Sequence, residues 1–324
     1  MKALLCKKFG PPADLVLESI PEPQAGPGEV IVDVKAVGLN FADTLIIRGL
    51  YQGRPPMPFS PGADFAGVVS ALGEGVVDYH IGDRVASVPA FGSAREKVAI
   101  ATDELVRIPD NVDFDTAAAS LTTFGTAYHA LKVRGDLKPG ETVAVLGASG
   151  GVGLAAISVA KLLGARVIAC ASSQDKLALC ERQGADVLVN YSAQPLKGAL
   201  KEATGGEGVD IVYDPVGGEY SEQALRACGK FSRYLVIGFA NGSIPSVPLN
   251  LTLVKNCDIL GIHWGDWKAR YPAANAESDR QVMQWVAEGR LVMPIHHVLP
   301  LERMKEMLEA FDRREAVGKV IIHP

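Results

Sequence analysis

Four glycines, Gly147, Gly150, Gly151 and Gly153, are gathered within seven positions, with Ala148, Ser149 and Val152 between them. An apolar run at 143–146 precedes them, and an alanine-rich stretch reaching Leu163 follows, stopped by Gly164. A second apolar run covers 166–171. Short apolar runs read as strands and the stretch between them as a helix, so the glycines fall at the strand-to-helix turn of a βαβ unit over 141–171. Glycine there lets the chain turn sharply and lets an anion come close to the main chain. The unbonded N–H groups of the first helical turn, aided by the helix dipole, then face that anion. The chemistry is that of holding a pyrophosphate. Of the pattern G-x-G-x-x-G the first glycine is Ala148, and the others are Gly150 and Gly153. Gly153 permits close packing of helix on strand.

The end of the second strand selects among dinucleotides. Where an acidic residue would hold ribose hydroxyls, this chain has Ala171-Ser172-Ser173-Gln174-Asp175-Lys176. A small hydroxyl at Ser172 with the cation of Lys176 close behind suits a 2′-phosphate, so NADPH is the expected cofactor. The blander reading makes Asp175 and Lys176 the solvated start of the next helix.

Around this unit the chain is ordinary. Its 324 residues suffice for two domains, and 48% apolar with 21% charged residues is soluble globular composition. A net charge of −5 gives no electrostatic case for nucleic acid or an anionic membrane surface. No apolar run approaches the roughly twenty residues that span a bilayer, and MKALLCKKFGPP has no signal-peptide core. The expectation is a cytoplasmic enzyme. Cys6, Cys170, Cys180, Cys228 and Cys257 lie far apart, which is neither a disulfide framework nor a zinc knuckle. The six histidines read as structural or surface residues.

In chain order, residues 2–108 are short strands and turns, with a brief helix at 40–48 and a stiff loop carrying Pro55, Pro56, Pro58 and Pro61. Such a series predicts a compact antiparallel β domain. Helices are expected at 114–121 and 126–133. From 141 onward strands alternate with helices: strands at 143–146, 166–171, 187–190, 209–213, 233–238 and 259–262, with helices at 175–183, 196–203 and 218–228 among them. Six such strands predict a doubly wound parallel sheet, so the fold class is α/β. The remainder, 264–324, holds helices near 278–288 and 301–311, a strand near 296–299 and a closing apolar strand at 320–322 that must pair with a sheet edge. The N-terminal β domain is one candidate partner.

The chain also carries Gly38-Leu39-Asn40-Phe41-Ala42-Asp43, Pro61-Gly62-Ala63-Asp64-Phe65-Ala66-Gly67 and Gly82-Asp83-Arg84-Val85. Later come Thr122-Thr123-Phe124-Gly125-Thr126-Ala127 and Tyr213-Asp214-Pro215-Val216-Gly217-Gly218. Together with the glycine turn, these segments make the chain resemble, over essentially its full length, the medium-chain dehydrogenase/reductase superfamily. Within it, the chain is similar to the zinc-free quinone oxidoreductase (zeta-crystallin-like) branch. The resemblance implies a GroES-like β domain at 1–121 and 264–324, a Rossmann dinucleotide-binding domain inserted at 122–263, an active site in the cleft between them, and a homodimer or homotetramer. Zinc-dependent relatives place Cys and His ligands near the positions of Asn40 and Ala63, and neither residue can serve tetrahedral Zn²⁺. The four clustered cysteines of a structural zinc lobe are also missing, so no metal is expected.

Without a metal, the acceptor must be one that becomes a delocalised anion. A quinone gives a phenolate-like anion and an enone, 2-alkenal or acrylate gives an enolate; both ask only for hydrogen-bond donors and a proton source. The resemblance implies Asn40 and Tyr51 as those donors. Asn40 equally suits the N-cap of the helix that begins at Phe41, and Tyr51 simple loop packing. The resemblance puts Thr126 near the nicotinamide, and Gly150, Gly151 and Val152 at the pyrophosphate. It puts Ser172, Lys176 and Tyr191 around the 2′-phosphate, Phe239 and Asn241 beside the nicotinamide ribose and amide, and Lys319 close to the cofactor. Asp43, Asp64, Asp83 and Arg84 read as turn or strand-end residues. Trp264 and Trp267 suit either a pocket wall or a dimer contact. The expected function is NADPH-dependent reduction of quinones; the alternatives are reduction of an activated carbon–carbon double bond at the same site, and a non-catalytic NADPH-binding protein.

Overall fold

The computed structural model describes residues 1–313, 315 and 317–324. Two units are separable: Met1–Thr122 with Tyr271–Pro324, and Thr123–Arg270. Elements of the first stretch are β1 (Lys2–Leu5), β2 (Val16–Ser19), β3 (Glu29–Leu39), α1 (Phe41–Ile47), β4 (Asp64–Leu72), β5 (Arg84–Ser87), β6 (Lys97–Ala101), β7 (Val106–Arg107) and α2 (Phe114–Tyr128). Then follow β8 (Thr142–Leu146), α3 (Gly151–Leu162), β9 (Arg166–Ala171), α4 (Gln174–Arg182), β10 (Val187–Asn190), α5 (Leu196–Ala203), β11 (Val209–Asp214) and α6 (Glu219–Ala227). The second unit continues with β12 (Cys228–Val236), α7 (Asn250–Lys255), β13 (Asp258–Gly261) and α8 (Trp264–Arg270). The chain closes with α9 (Pro272–Ala287), β14 (Ile295–Pro300), α10 (Met304–Asp312) and β15 (Lys319–His323).

In the first unit the organising strand is β3, EVIVDVKAVGL, whose β-branched side chains favour extended backbone and bury against neighbours. It pairs antiparallel with β4, β6 and β15, within a sheet ordered β14-β15-β3-β4-β5-β7. The pairing with β15 is Val320 to Leu39 and Ile322 to Val37, so residues from the two ends of the chain share one core with Val30, Val32, Phe65 and Leu308. That core is what holds α1 and the loop after it in place.

The second unit is a six-stranded parallel sheet in the order β10-β9-β8-β11-β12-β13. Numbered within the unit this is 3-2-1-4-5-6, the doubly wound order. Its strands read as unbroken apolar runs because helices cover both faces, and Ala144, Leu146, Ile168, Val212 and Leu225 are fully buried. The order reverses between β8 and β11. In open parallel sheets ligands lie outside the strand ends at such a point.

Several boundaries differ from the sequence reading, among them the start of α9 at Pro272 rather than near 278. Residues 114–128 are one helix rather than two, continued by a π-helical turn at His129–Arg134. Gly125 does not break it, because the Trp264 ring fills the space where a side chain would be: a Cβ there would lie 2.8 Å from Trp264 Cζ2. The same contact corrects the end of the nucleotide unit, which runs to Arg270 instead of 263. Trp264 packs on Gly125, and the Trp267 ring stands 4.5 Å from that of His129, so α8 belongs to this unit. Finally, β12 starts at Cys228, well before 233, through an irregular register opposite Val209 and Ile211.

Candidate functional site

Chemistry-bearing residues gather in each unit separately. In the second unit, Gly150 is the N-cap of α3 with extended backbone, and no side chain caps the helix. The first helical turn therefore presents its N–H groups without competition from a side-chain oxygen. Ala148 and Ser149 are buried behind the turn, tied down by Ala148 N donating to Cys170 O at 3.1 Å and Gly150 N to Gly147 O at 3.1 Å. Gly153 cannot be larger, since a Cβ would lie 2.5 Å from Gly147 O and 2.7 Å from Ala148 Cα. Helix and strand thus meet at van der Waals contact, with Gly151 and Val152 half-buried on the lip. This cradle sits at the end of β8, on one side of the order reversal. Its shape and donor set fit a pyrophosphate.

Next to it, at the end of β9, Ser173 caps α4 by accepting from Lys176 N at 3.4 Å. The Lys176 side chain reaches the strand end, where Nζ lies 3.5 Å from Ser172 Oγ. A cation and a hydroxyl therefore share one spot, both half-buried. Lys176 lies in the first turn of α4 and also faces Ser172. Tyr191 follows β10 and its ring lies 4.5 Å from that of Tyr220. Thr126 is half-buried on α2, and Phe239 and Asn241 lie on the loop after β12, with Phe239 37% exposed.

In the first unit a buried polar cluster lies under α1. Asn40 is the N-cap of α1, and its N–H donates to Asp43 Oδ2 at 2.8 Å. Its side-chain amide donates to Asp64 Oδ2 at 2.8 Å, with a longer contact of 3.3 Å to Gly38 O. Lys319 Nζ closes the cluster, donating to Asn40 Oδ1 at 2.7 Å and Asp64 Oδ2 at 2.9 Å. Asp64 Oδ1 in turn accepts from Thr122 N at 3.2 Å and Thr122 Oγ1 at 2.6 Å. The Lys319 and Asp64 side chains are 2% and 1% exposed. Burial pushes the Asp43 carboxyl up to about 7, with Asp64 reinforcing the rise and the Asn40 N–H and Lys319 opposing it. Tyr51 packs half-buried against the same core, and burial together with Asp43 pushes its phenol up. At neutral pH it is a proton-bearing donor.

Lys319, expected close to the cofactor, has its ammonium held by Asp64 and Asn40 and is buried. Asp64 opens β4 and Asp43 lies in the first turn of α1, so both are element-end residues, and both are buried members of this cluster. The signal in the sequence was a lysine opening the wholly buried strand Val320–Ile322, since a buried cation requires a buried anion. Thr122 and Asp214, the latter at the end of β11 and 3% exposed, are visible in the sequence only as members of motif segments, with no role attached to either. Among the described residues no cluster of three or more His, Cys, Asp or Glu side chains has a metal-binding arrangement, and no helix is long and apolar enough to cross a membrane.

Comparison with known proteins agrees with this architecture. Residues 26–110 match the alcohol dehydrogenase GroES-like domain, and residues 151–280 match the zinc-binding dehydrogenase family. The quinone oxidoreductase-like protein 2 of Bos taurus is 39% identical over 322 residues, covering 99% of this chain and 92% of that protein. Among solved structures, a probable oxidoreductase from Mycobacterium abscessus superposes with a TM-score of 0.90 at 34% identity, covering 100% of this chain and 99% of that one. The Escherichia coli quinone oxidoreductase complexed with NADPH does so with a TM-score of 0.92 at 29% identity, covering 100% of both. With its GroES-like sheet, its doubly wound sheet and relatives of this closeness, the chain belongs to the medium-chain dehydrogenase/reductase superfamily, in the quinone oxidoreductase-like branch, and is an oxidoreductase.

Proposed function

We propose that the chain is an NADPH-dependent quinone reductase that works without a metal. The observation that carries the reading is Lys176 Nζ standing 3.5 Å from Ser172 Oγ at the end of β9, next to the glycine cradle. A phosphate is the group that a lone ammonium and a hydroxyl at that position would select. On this reading the N–H groups of Gly150, Gly151 and Val152 hold the pyrophosphate, while Ser172, Lys176 and Tyr191 surround the 2′-phosphate. Thr126, Phe239 and Asn241 hold the nicotinamide end. NADPH, when bound, supplies a hydride.

The chain's own task is then to orient the acceptor and to stabilise the oxygen anion left on it. Tyr51 donates its phenolic hydrogen, which burial keeps in place at neutral pH. Asn40 offers the amide hydrogen that has only the 3.3 Å contact with Gly38 O. Its other amide hydrogen and its oxygen are held by Asp64 and Lys319, so the amide cannot rotate freely. Metal independence is supported by this donor set. Where a cation would be bound, the Asn40 oxygen faces the Lys319 ammonium, and the neighbouring Ala63 has no ligand atom.

The same reading makes the enzyme a homodimer or homotetramer. It is supported by β13, one of the two edge strands of the second sheet, and by Leu249 and Leu253 nearby in sequence, 76% and 77% exposed. Leu253→Glu should lower the mass measured by light scattering if that face is the contact.

The direct test follows NADPH absorbance with a quinone panel and a panel of 2-alkenals and acrylates. Consumption with quinones is expected. Consumption on the second panel alone would move the substrate class to activated alkenes, and tight NADPH binding with no turnover on either would make the protein non-catalytic. Tyr51→Phe should lower kcat about tenfold or more while NADPH affinity is unchanged. Undiminished turnover would reduce Tyr51 to packing.

A further inference from the structure

The sheet reverses its order between β8 and β11, so two turns flank that point: the glycine cradle after β8 and residues 214–218 after β11. We propose that Asp214 is a positioning residue of the nucleotide site, whose carboxylate sets the 214–218 turn and through it both the glycine cradle and the 237–243 loop. The proposal rests on the reading of the glycine turn as the nucleotide cradle.

The carboxylate is 3% exposed and fully engaged. Oδ1 accepts from Val216 N at 2.8 Å and Gly217 N at 2.9 Å, and Oδ2 from Ser221 Oγ at 2.8 Å and Tyr234 Oη at 2.5 Å. All four donors are neutral. Two are main-chain N–H groups of the turn itself, one comes from α6 and one from the neighbouring strand β12. A charged acceptor strengthens each of these bonds relative to a neutral one. A single side chain thus ties the turn to α6 and to β12.

What the turn touches gives the lock its consequence. A Cβ on Gly147 would lie 2.7 Å from Val216 Cγ2, so the cradle rests directly on the turn. A Cβ on Gly217 would lie 2.8 Å from Phe239 Cδ1, and one on Gly218 would lie 2.2 Å from Asn241 Nδ2. Main-chain bonds stitch the same surfaces together. Ile237 N donates to Asp214 O at 2.9 Å, Ala240 N to Pro215 O at 3.0 Å, Asn241 N to Val216 O at 2.8 Å, and Gly218 N to Ser243 O at 3.0 Å. A displaced 214–218 turn therefore carries with it the cradle at one side and Phe239 and Asn241 at the other. Small misplacements of such groups cost large factors in binding and rate.

The test is Asp214→Asn, equal in size, with NADPH binding followed by nucleotide fluorescence and amide hydrogen exchange followed in the nucleotide-free protein. In the variant an amide nitrogen replaces one of the two acceptor oxygens, so it cannot accept from all four donors. NADPH should bind about tenfold more weakly, and the Gly217 and Asn241 amides should exchange faster while those of Val143 and Val145 in β8 do not change. Unaltered affinity, or exchange that rises evenly through the whole sheet, would overturn the proposal. If Asp214→Asn does not fold, Ser221→Ala, which removes one donor, should still weaken NADPH severalfold, and no loss would overturn it. A wild-type protein that fails to bind NADPH would remove the nucleotide reading and this proposal together. Tight wild-type binding matched by Asp214→Asn would remove this proposal alone.

Discussion

Asp64 and Asp214 are both buried carboxylates at the end of a strand, and they are satisfied in opposite ways. Asp64, the first residue of β4, has an ammonium beside it, and Lys319 comes from 255 residues further along the chain. Asp214, the last residue of β11, has only neutral donors, from residues 216, 217, 221 and 234. The first cluster can form only when β15 has joined β3, so it reports closure of the whole first unit. The second is assembled almost entirely by its own turn and the next helix and strand, so it organises a loop. An ion pair far apart in sequence ties a fold together, whereas a carboxylate ringed by local donors shapes a surface.

The comparison breaks most sharply at Lys319. Lys319→Met leaves Asp64 charged, buried and without its cation, and should destabilise the protein by about 3–5 kcal/mol in urea unfolding. Adding Asp64→Asn should recover part of that loss, because the orphaned charge goes with it. A double variant no more stable than Lys319→Met would show that the ion pair is not the source. A smaller effect is expected at the other carboxylate. Tyr234→Phe removes one of four donors and should cost about 1–2 kcal/mol, with the exchange of the Gly217 amide rising more than that of the sheet. Equal damage from the two substitutions would erase the distinction.

Asp43 gives the effect most specific to pH. Its carboxyl is pushed up to about 7 in the native protein, while an unfolded chain releases that proton near pH 4. Between those values the native state binds more protons than the unfolded one, so stability should fall as pH rises from about 4 to about 7 and level off above. The groups that face it are Asp64, Lys319 and Tyr51, together with the Asn40 and Gly62 N–H groups. Asp43→Asn should flatten the slope of Tm across that window, and a slope identical to wild type would assign it to other groups.

How much of this could be read before folding follows the same division. The second unit was legible nearly strand by strand, because a parallel sheet covered on both faces leaves continuous apolar runs and its glycine turn is local. The cradle and the Ser172–Lys176 pair were legible for the same reason, each lying within a few residues. Gly125 misled, because an interior glycine ordinarily weakens a helix and only the tertiary contact with Trp264 explains its place. The Asn40–Asp64–Lys319 cluster was half legible: a lysine opening an apolar strand calls for a buried anion, but no local pattern joins residue 319 to 40 and 64. Asp214 was visible as an acid ending an apolar strand before Pro-Val-Gly-Gly, but its four donors were not.

On the proposed reading, Lys176 grips a phosphorylated nucleotide beside the glycine turn. Titrating wild type and Lys176→Ala with NADPH and NADH, by fluorescence at fixed ionic strength, tests it most directly. NADPH affinity should fall tenfold or more in the variant while NADH affinity hardly moves, because the lost partner is a phosphate. Equal losses for both nucleotides, or wild-type protein that prefers NADH, would contradict the account.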